Sequence, residues 1–174
     1  MLDVLKQVEL ELPELLKDES AWVGKDVNYH PPRVERLWRQ WRDIYRIYLH
    51  RIHPCKPEEA LFHPHPWPSA MLLLPGSAPY KMGVGHGGGD DNPPIDKVLT
   101  MQPGSRYEMV DLNDWHFVAP IDEPAITLMV TGEPWSREAP KSTKSLEPLT
   151  EQARAEIFTL FRQQFCPSIS NVDR

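Results

Sequence analysis

The sequence predicts a mainly β protein, a small antiparallel sandwich or barrel with helices at both ends. Three observations point there. Between residues 61 and 131 short β-type runs follow one another, at 71–74, 80–84, 97–101, 106–110, 115–118 and 125–131. The connectors between them are rich in Gly, Pro, Asn and Asp, which set turns. The 19 prolines are spread between short apolar runs and are not gathered in one tract. That pattern suits many strands and many turns, and not a proline-rich linker.

The chain begins with a helical pattern over 3–19, with Val4, Leu5, Val8, Leu12, Leu15 and Leu16 separated by acids and lysines and an interruption at Pro13. It reads as a helix capping the main body. An irregular segment, 22–32, ends in Tyr29-His30-Pro31-Pro32. Paired prolines disfavour helix before them and suit a helix start after them. The steps between Leu37, Trp38, Trp41, Ile44, Tyr45, Tyr48 and Leu49 then predict a second helix over 33–51, with Arg36, Arg39, Arg42 and Asp43 opposite. Its aromatic stripe reads as a packing face or as the contact of a homodimer.

Within the β region, the run 125–131 puts Ile126, Leu128 and Val130 on one face and Ala125, Thr127 and Met129 on the other. Both faces are apolar enough for a strand covered on both sides. The stretch 83–94 reads as a long glycine- and acid-rich surface loop. It lacks the Lys-Ser/Thr and the following helix of a phosphate-binding loop. After Trp135 a polar stretch, 136–146, leads to a last helix. Thr150 is its expected N-cap, and Ala153, Ile157, Leu160, Phe161 and Phe165 form its apolar stripe. Cys166-Pro167 ends that helix, and the residues beyond it are expected to fray.

A chain of 174 residues suggests one globular unit. Its parts are an N-terminal helical segment (1–58), a β-barrel (59–135), and a linker with the C-terminal helix (136–174). A net charge of −6 argues against general nucleic-acid binding, which needs a basic footprint. No apolar run reaches the roughly 18 residues of a membrane span. The N-terminus lacks the basic region and apolar block of a signal peptide. Only two cysteines, Cys55 and Cys166, are present, with no metal-binding spacing. The expected setting is cytoplasmic, with free thiols.

The chemistry concentrates in histidines. His63 and His65 stand two residues apart, so an extended chain would send both side chains to one face. Two imidazoles on one face are part of a first-row metal site. The flanking Pro64 and Pro66 place this segment at a strand start or on an edge strand. His116, in the run 115–118, is the third candidate ligand. Opposite walls of a small barrel would bring it to the pair. Glu108 is a candidate acid/base group or replacement carboxylate ligand. Tyr80 and Tyr107 are candidates for orienting a substrate. His30, His50, His53 and His86 have no spaced partner and read as ordinary surface or helix residues.

At these positions the chain resembles the cupin superfamily. His63-Pro64-His65 matches the family's His-x-His, and Gly76 falls where its first motif ends. The carboxylate position of that motif falls on Ser69 (or Ala70). Pro103-Gly104 followed by His116 resembles the second motif, and 126–132 its closing strand. More narrowly, the stretches 63–71, 80–82, 104–109 and 115–116 look like those of bacterial cupins with added terminal helices. The resemblance implies an antiparallel barrel whose interior is the pocket. It also implies a divalent first-row metal (Fe, Zn, Mn or Ni) on His63, His65 and His116. Metal-dependent, dioxygenase-type chemistry on a small organic substrate would follow. The alternative is a non-catalytic small-molecule-binding or sensor barrel without catalytic metal.

Overall fold

A computed structural model describes residues 1–88, 92–136 and 146–166. Two helices and ten strands are assigned among them. Helix α1 spans Leu2–Leu15, and a short 3-10 turn follows at Glu19–Ala21. The strands are β1 (Val23–Val27), β2 (Val34–Trp41), β3 (Tyr45–Ile52), β4 (His63–Pro64), β5 (Ser69–Leu73), β6 (Tyr80–His86), β7 (Lys97–Met101), β8 (Arg106–Met109), β9 (Asp114–Pro120) and β10 (Ala125–Thr131). Helix α2, Glu151–Phe165, closes the described chain. Neither helix is long and apolar enough to cross a membrane.

The strands form two antiparallel sheets. The larger has the order β1-β2-β3-β10-β5-β8 and the smaller β4-β9-β6-β7. The expected mainly β class with helices at both ends holds. The two ladders, however, are separate and are not closed into one barrel. The apolar side chains show why a third layer is present. Leu37 and Trp41 of β2, Ile47 and Leu49 of β3, Leu128 and Val130 of β10, and Ala70 and Leu72 of β5 share one face of the large sheet. They form a single core with Leu5, Val8 and Leu12 of α1 and Ile157, Phe158 and Phe161 of α2. Helix α1 lies over β5, β8 and β10, and α2 over β2 and β3. The opposite face of the large sheet turns toward the small sheet. There Ile52, Leu73 and Ala125 meet Tyr80 and Met82 of β6 and Val118 of β9.

The helix expected over 33–51 does not exist. The segment is the β2–β3 hairpin, with Val34 opposite Ile52 and Trp41 opposite Tyr45. Trp, Tyr and Ile are strand formers, and two alternating strands reflected about a turn mimic helical steps. The turn itself carries no glycine or proline; Arg42 supplies its left-handed residue, at φ 48°. Of the expected helical segment 1–58, only α1 and the 3-10 turn are helical, and β3 pairs directly with β10. The aromatic stripe is therefore split between the two faces of the large sheet and is no dimerisation helix. Trp41 joins the helix-side core, and Tyr48 packs with Met71 and Met129 on the other face.

Helix α1 runs through Pro13 and stops two residues later. The expected strands at 97–101 and 125–131 coincide with β7 and β10, and the others lie within a few residues of their expected bounds. The expected loop over 83–94 begins instead as strand: Gly83 to His86 belong to β6 and pair with β9. Gly83 and Gly85 are there for space, since a Cβ at either would collide with Phe117 or with Pro94 and Phe62. Positions 89–91 of that loop lie outside the described residues. So do 137–145 of the polar linker and the terminal residues 167–174 expected to fray. Thr150 caps α2 as expected, its hydroxyl accepting from the Ala153 amide at 3.1 Å.

Candidate metal centre and its cavity

The small sheet assembles the three histidines. Strand β4 is two residues long and sits at its edge, where flanking prolines are tolerated. It pairs with β9 so that His63 lies directly opposite His116. His65, two residues on, returns to the same side. The ring centroids are 5.3 Å apart for His63 and His65, 5.0 Å for His63 and His116, and 4.7 Å for His65 and His116. The histidines come from neighbouring strands, not from opposite walls of a barrel. Their potential ligand atoms all lie within 4.8 Å of one another.

The proton positions follow from the partners. A carbonyl only accepts, so His63 donates from Nδ1 to the Leu61 carbonyl at 3.0 Å and its Nε2 carries a lone pair. His65 Nδ1 lies 3.0 Å from the hydroxyl of the buried Ser69. The position that the cupin resemblance gives to a carboxylate thus holds a group that orients a histidine. His65 Nε2 and His116 Nε2 face each other at 3.0 Å. If both are lone pairs they repel; if His116 Nε2 bears the proton its Nδ1 is a bare acceptor, and otherwise Nδ1 is an N–H, buried without a partner either way.

A metal resolves the facing lone pairs. Two nitrogens bound to one first-row ion at about 2.1 Å and about 90° stand about 3.0 Å apart. Hydrogen bonds from the outer nitrogens of His63 and His65 are the supports that metal-binding imidazoles usually have. Protonation is disfavoured throughout. Burial, and then the nearby His63 and His50, pushes His65 down to about 3. Burial and the two neighbouring imidazoles hold His116 well below the usual range, and burial lowers His63. Neutral imidazoles are what a metal requires. The donor set therefore fits a divalent first-row ion.

The three histidines line a cavity of about 340 Å³ between the two sheets. Its wall on the large-sheet side includes Val34 and Arg36 of β2, His50 and Ile52 of β3, Met71 of β5 and Met129 of β10. Trp67, His30 and Tyr29 contribute from loops. Among the described residues no lining residue is a carboxylate. Glu108 is not brought to this cavity. Its carboxylate accepts from the Met1 ammonium at 2.7 Å and the Leu2 amide at 2.8 Å. Tyr80 is fully buried in the apolar cluster between the sheets, with its hydroxyl toward Met71 Sδ at 3.9 Å. Tyr107 also points at that sulfur, at 3.1 Å, and burial pushes its phenol up to about 12. Neither tyrosine lines the cavity.

His30, His50 and Arg36 were not expected here. His50 is buried, its Nδ1 3.2 Å from the Thr127 hydroxyl. Burial, then the Arg36 charge, pushes it down to about 3. The signal for Arg36 and His50 was strand alternation within 34–52, which puts Val34, Arg36 and Trp38, and then Tyr48, His50 and Ile52, on one face. His53 instead pairs with the buried Glu35, at 2.8 Å.

No protein-family model matches the sequence, and no curated protein does. Among solved structures the chain is similar to the hydroxypropylphosphonic acid epoxidase of S. wedmorenis, with a TM-score of 0.50 and 14% identity. That alignment covers 65% of this chain and 56% of the epoxidase. AerE from Microcystis aeruginosa aligns at a TM-score of 0.47 with 18% identity, over 74% of this chain and 53% of AerE. The chain spans little more than half the length of either. The fold is cupin-like: two antiparallel sheets with flanking helices enclosing a cavity.

Proposed function

We propose that this protein is a metal-dependent enzyme acting on a small organic molecule, with His63, His65 and His116 holding a divalent first-row ion. The observation that carries the reading is the pair of Nε2 atoms 3.0 Å apart, beside a third imidazole, in the wall of a cavity. Such an ion supplies Lewis-acid chemistry or, if it is iron, redox chemistry of the dioxygenase type. The chain's own residues do the rest. Ser69 and the Leu61 carbonyl set the ring orientations. The short proline-flanked β4 fixes where His63 and His65 begin. Trp67, Met71, Val118 and Met129 give the molecule an apolar surface. The epoxidase fold likeness is compatible with this reading without identifying a reaction.

The test is elemental analysis of the purified full chain after equilibration with Fe(II), Zn(II), Mn(II) and Ni(II) in turn. One equivalent of at least one ion is expected in the wild type and none in His65→Ala or His116→Ala, with both variants folded by circular dichroism. Ser69→Ala should weaken the affinity by about 10- to 100-fold. Full metal retention by both histidine variants overturns the reading. So does a wild type that takes up no ion.

A further inference from the structure

Arg36 enters the cavity wall from the middle of β2, in register with His50 and, through it, with Thr127. Among the described residues it makes no hydrogen bond and no ion pair. Its one partner is the face of Tyr48, 5.7 Å from the guanidinium carbon. Its Nε is buried without a partner. Trp67 Nε1, on another lining residue, is buried and unpartnered as well. Together with His116 Nδ1, these are the buried side-chain atoms among the described residues that lack a hydrogen bond, and all three belong to residues lining this one cavity.

The orphans are informative because of what they cost. A guanidinium drawn partly out of water without a counter-ion is destabilising, and so is a buried N–H left without an acceptor. The other partly buried guanidiniums among the described residues all find acceptors: Arg51 reaches Glu35 and Glu156, Arg162 reaches Glu19, and Arg39 and Arg154 donate to backbone carbonyls. At Arg36 no described lining residue supplies a carboxylate. The three candidate ligands opposite are neutral imidazoles, so they do not neutralise an ion bound to them either. The cavity is thus built as a positive site lacking its negative partner. A planar guanidinium fork matches an oxyanion better than any neutral group.

We infer that Arg36 binds the oxyanion head, carboxylate or phosphonate/phosphate, of the small molecule that occupies this cavity. Trp67 Nε1 is a second available donor in the same wall. This deepens the proposed function by naming the substrate class, and its metal-side consequence rests on that reading. Arg36 itself needs no metal to bind an anion.

The experiment is isothermal titration of the full chain with propionate, methylphosphonate and the neutral isostere propionamide, in metal-free and in Zn(II)-equilibrated protein. At least one oxyanion is expected to saturate, about tenfold or more tighter than propionamide. Preference for propionate marks a carboxylate head and preference for methylphosphonate a phosphorus oxyanion; either supports the inference. Arg36→Met should weaken oxyanion binding by about tenfold or more and leave zinc content unchanged. Arg36→Lys should recover part of the loss. Arg36→Met should also melt no lower than the wild type, because it removes a partly buried charge that has no counter-ion.

Equal oxyanion binding by Arg36→Met and wild type overturns the inference. So does propionamide binding as tight as the oxyanions, or no saturation by either oxyanion. The last two comparisons need only the wild type and hold even if the variant does not fold. Arg36-dependent binding in a protein that takes up no metal would leave this site standing and remove the metal reading. Zinc uptake with Arg36-independent binding would do the reverse.

Discussion

The two faces of the six-stranded sheet are made by the same strands and are built to different ends. On the face under α1 and α2, β3 presents Ile47 and Leu49, and β10 presents Leu128 and Val130, each fully buried in one apolar core. On the other face, one residue along, the same strands present Tyr48, His50 and Ile52, and Thr127 and Met129. The helix-side face is sealed by hydrocarbon. The cavity-side face carries a buried neutral histidine, a buried hydroxyl and an unpaired guanidinium, which packing alone has no use for. A sheet that spends one face on stability can leave the other free for chemistry, because alternation keeps the two sets of side chains apart.

The largest expected effect lies on the sealed face. Phe161→Ala removes a fully buried ring of α2 from the helix-side core and should lower unfolding free energy by about 3–5 kcal/mol in urea titration. The folded fraction should still take up metal. Loss of metal affinity beyond the unfolded fraction would show that the two faces are coupled.

The second effect belongs to the cavity face and appears as acid sensitivity. His50 is held at about 3 in the folded protein against an ordinary 6.5. Between those values the unfolded chain binds more protons, so stability is full above about 6.5 and is lost as pH falls toward 3. At pH 5 the loss from His50 should be about 2 kcal/mol. Urea titrations of metal-free wild type and His50→Gln at pH 7 and 5 check it; the variant should lose about that much less on acidification. Identical pH dependence would mean that His50 titrates normally and that the cavity face is as wet as the surface.

The smallest effect sharpens the role of α2 as a lid on the sealed face. Thr150→Ala deletes the N-cap hydroxyl and should cost about 1 kcal/mol, with oxyanion and metal binding unchanged. Any change in binding beyond error would place α2 in the cavity's function as well.

How far this was legible in the sequence varied with how local the information was. Strands β7 and β10, the Thr150 cap and the two-sided burial of β10 could be read directly, because propensity and alternation act over a few residues. The β2–β3 hairpin could not be read from periodicity. Its turn uses Arg42 at a left-handed φ with no glycine to announce it, and aromatic residues on both strands imitate helical steps. That misreading hid Arg36 and His50, which share a face only when 34–52 is extended. Glu108 looked like a spare carboxylate near the motif, yet its carboxylate is taken up by the Met1 ammonium and the Leu2 amide at the start of α1.

By itself the sequence determined a mainly β chain, its terminal helices, and the three histidines worth watching. Residue type and short spacing carry that much, and the prolines around His65 pointed to a strand start or an edge strand. Only the tertiary structure decided that His63 and His116 are cross-strand neighbours on one sheet. It also decided that Ser69 holds His65, and that one cavity joins the histidines to Arg36. Those facts depend on register between segments far apart in the chain. A shift of one residue in any of those pairings would send each side chain to the opposite face.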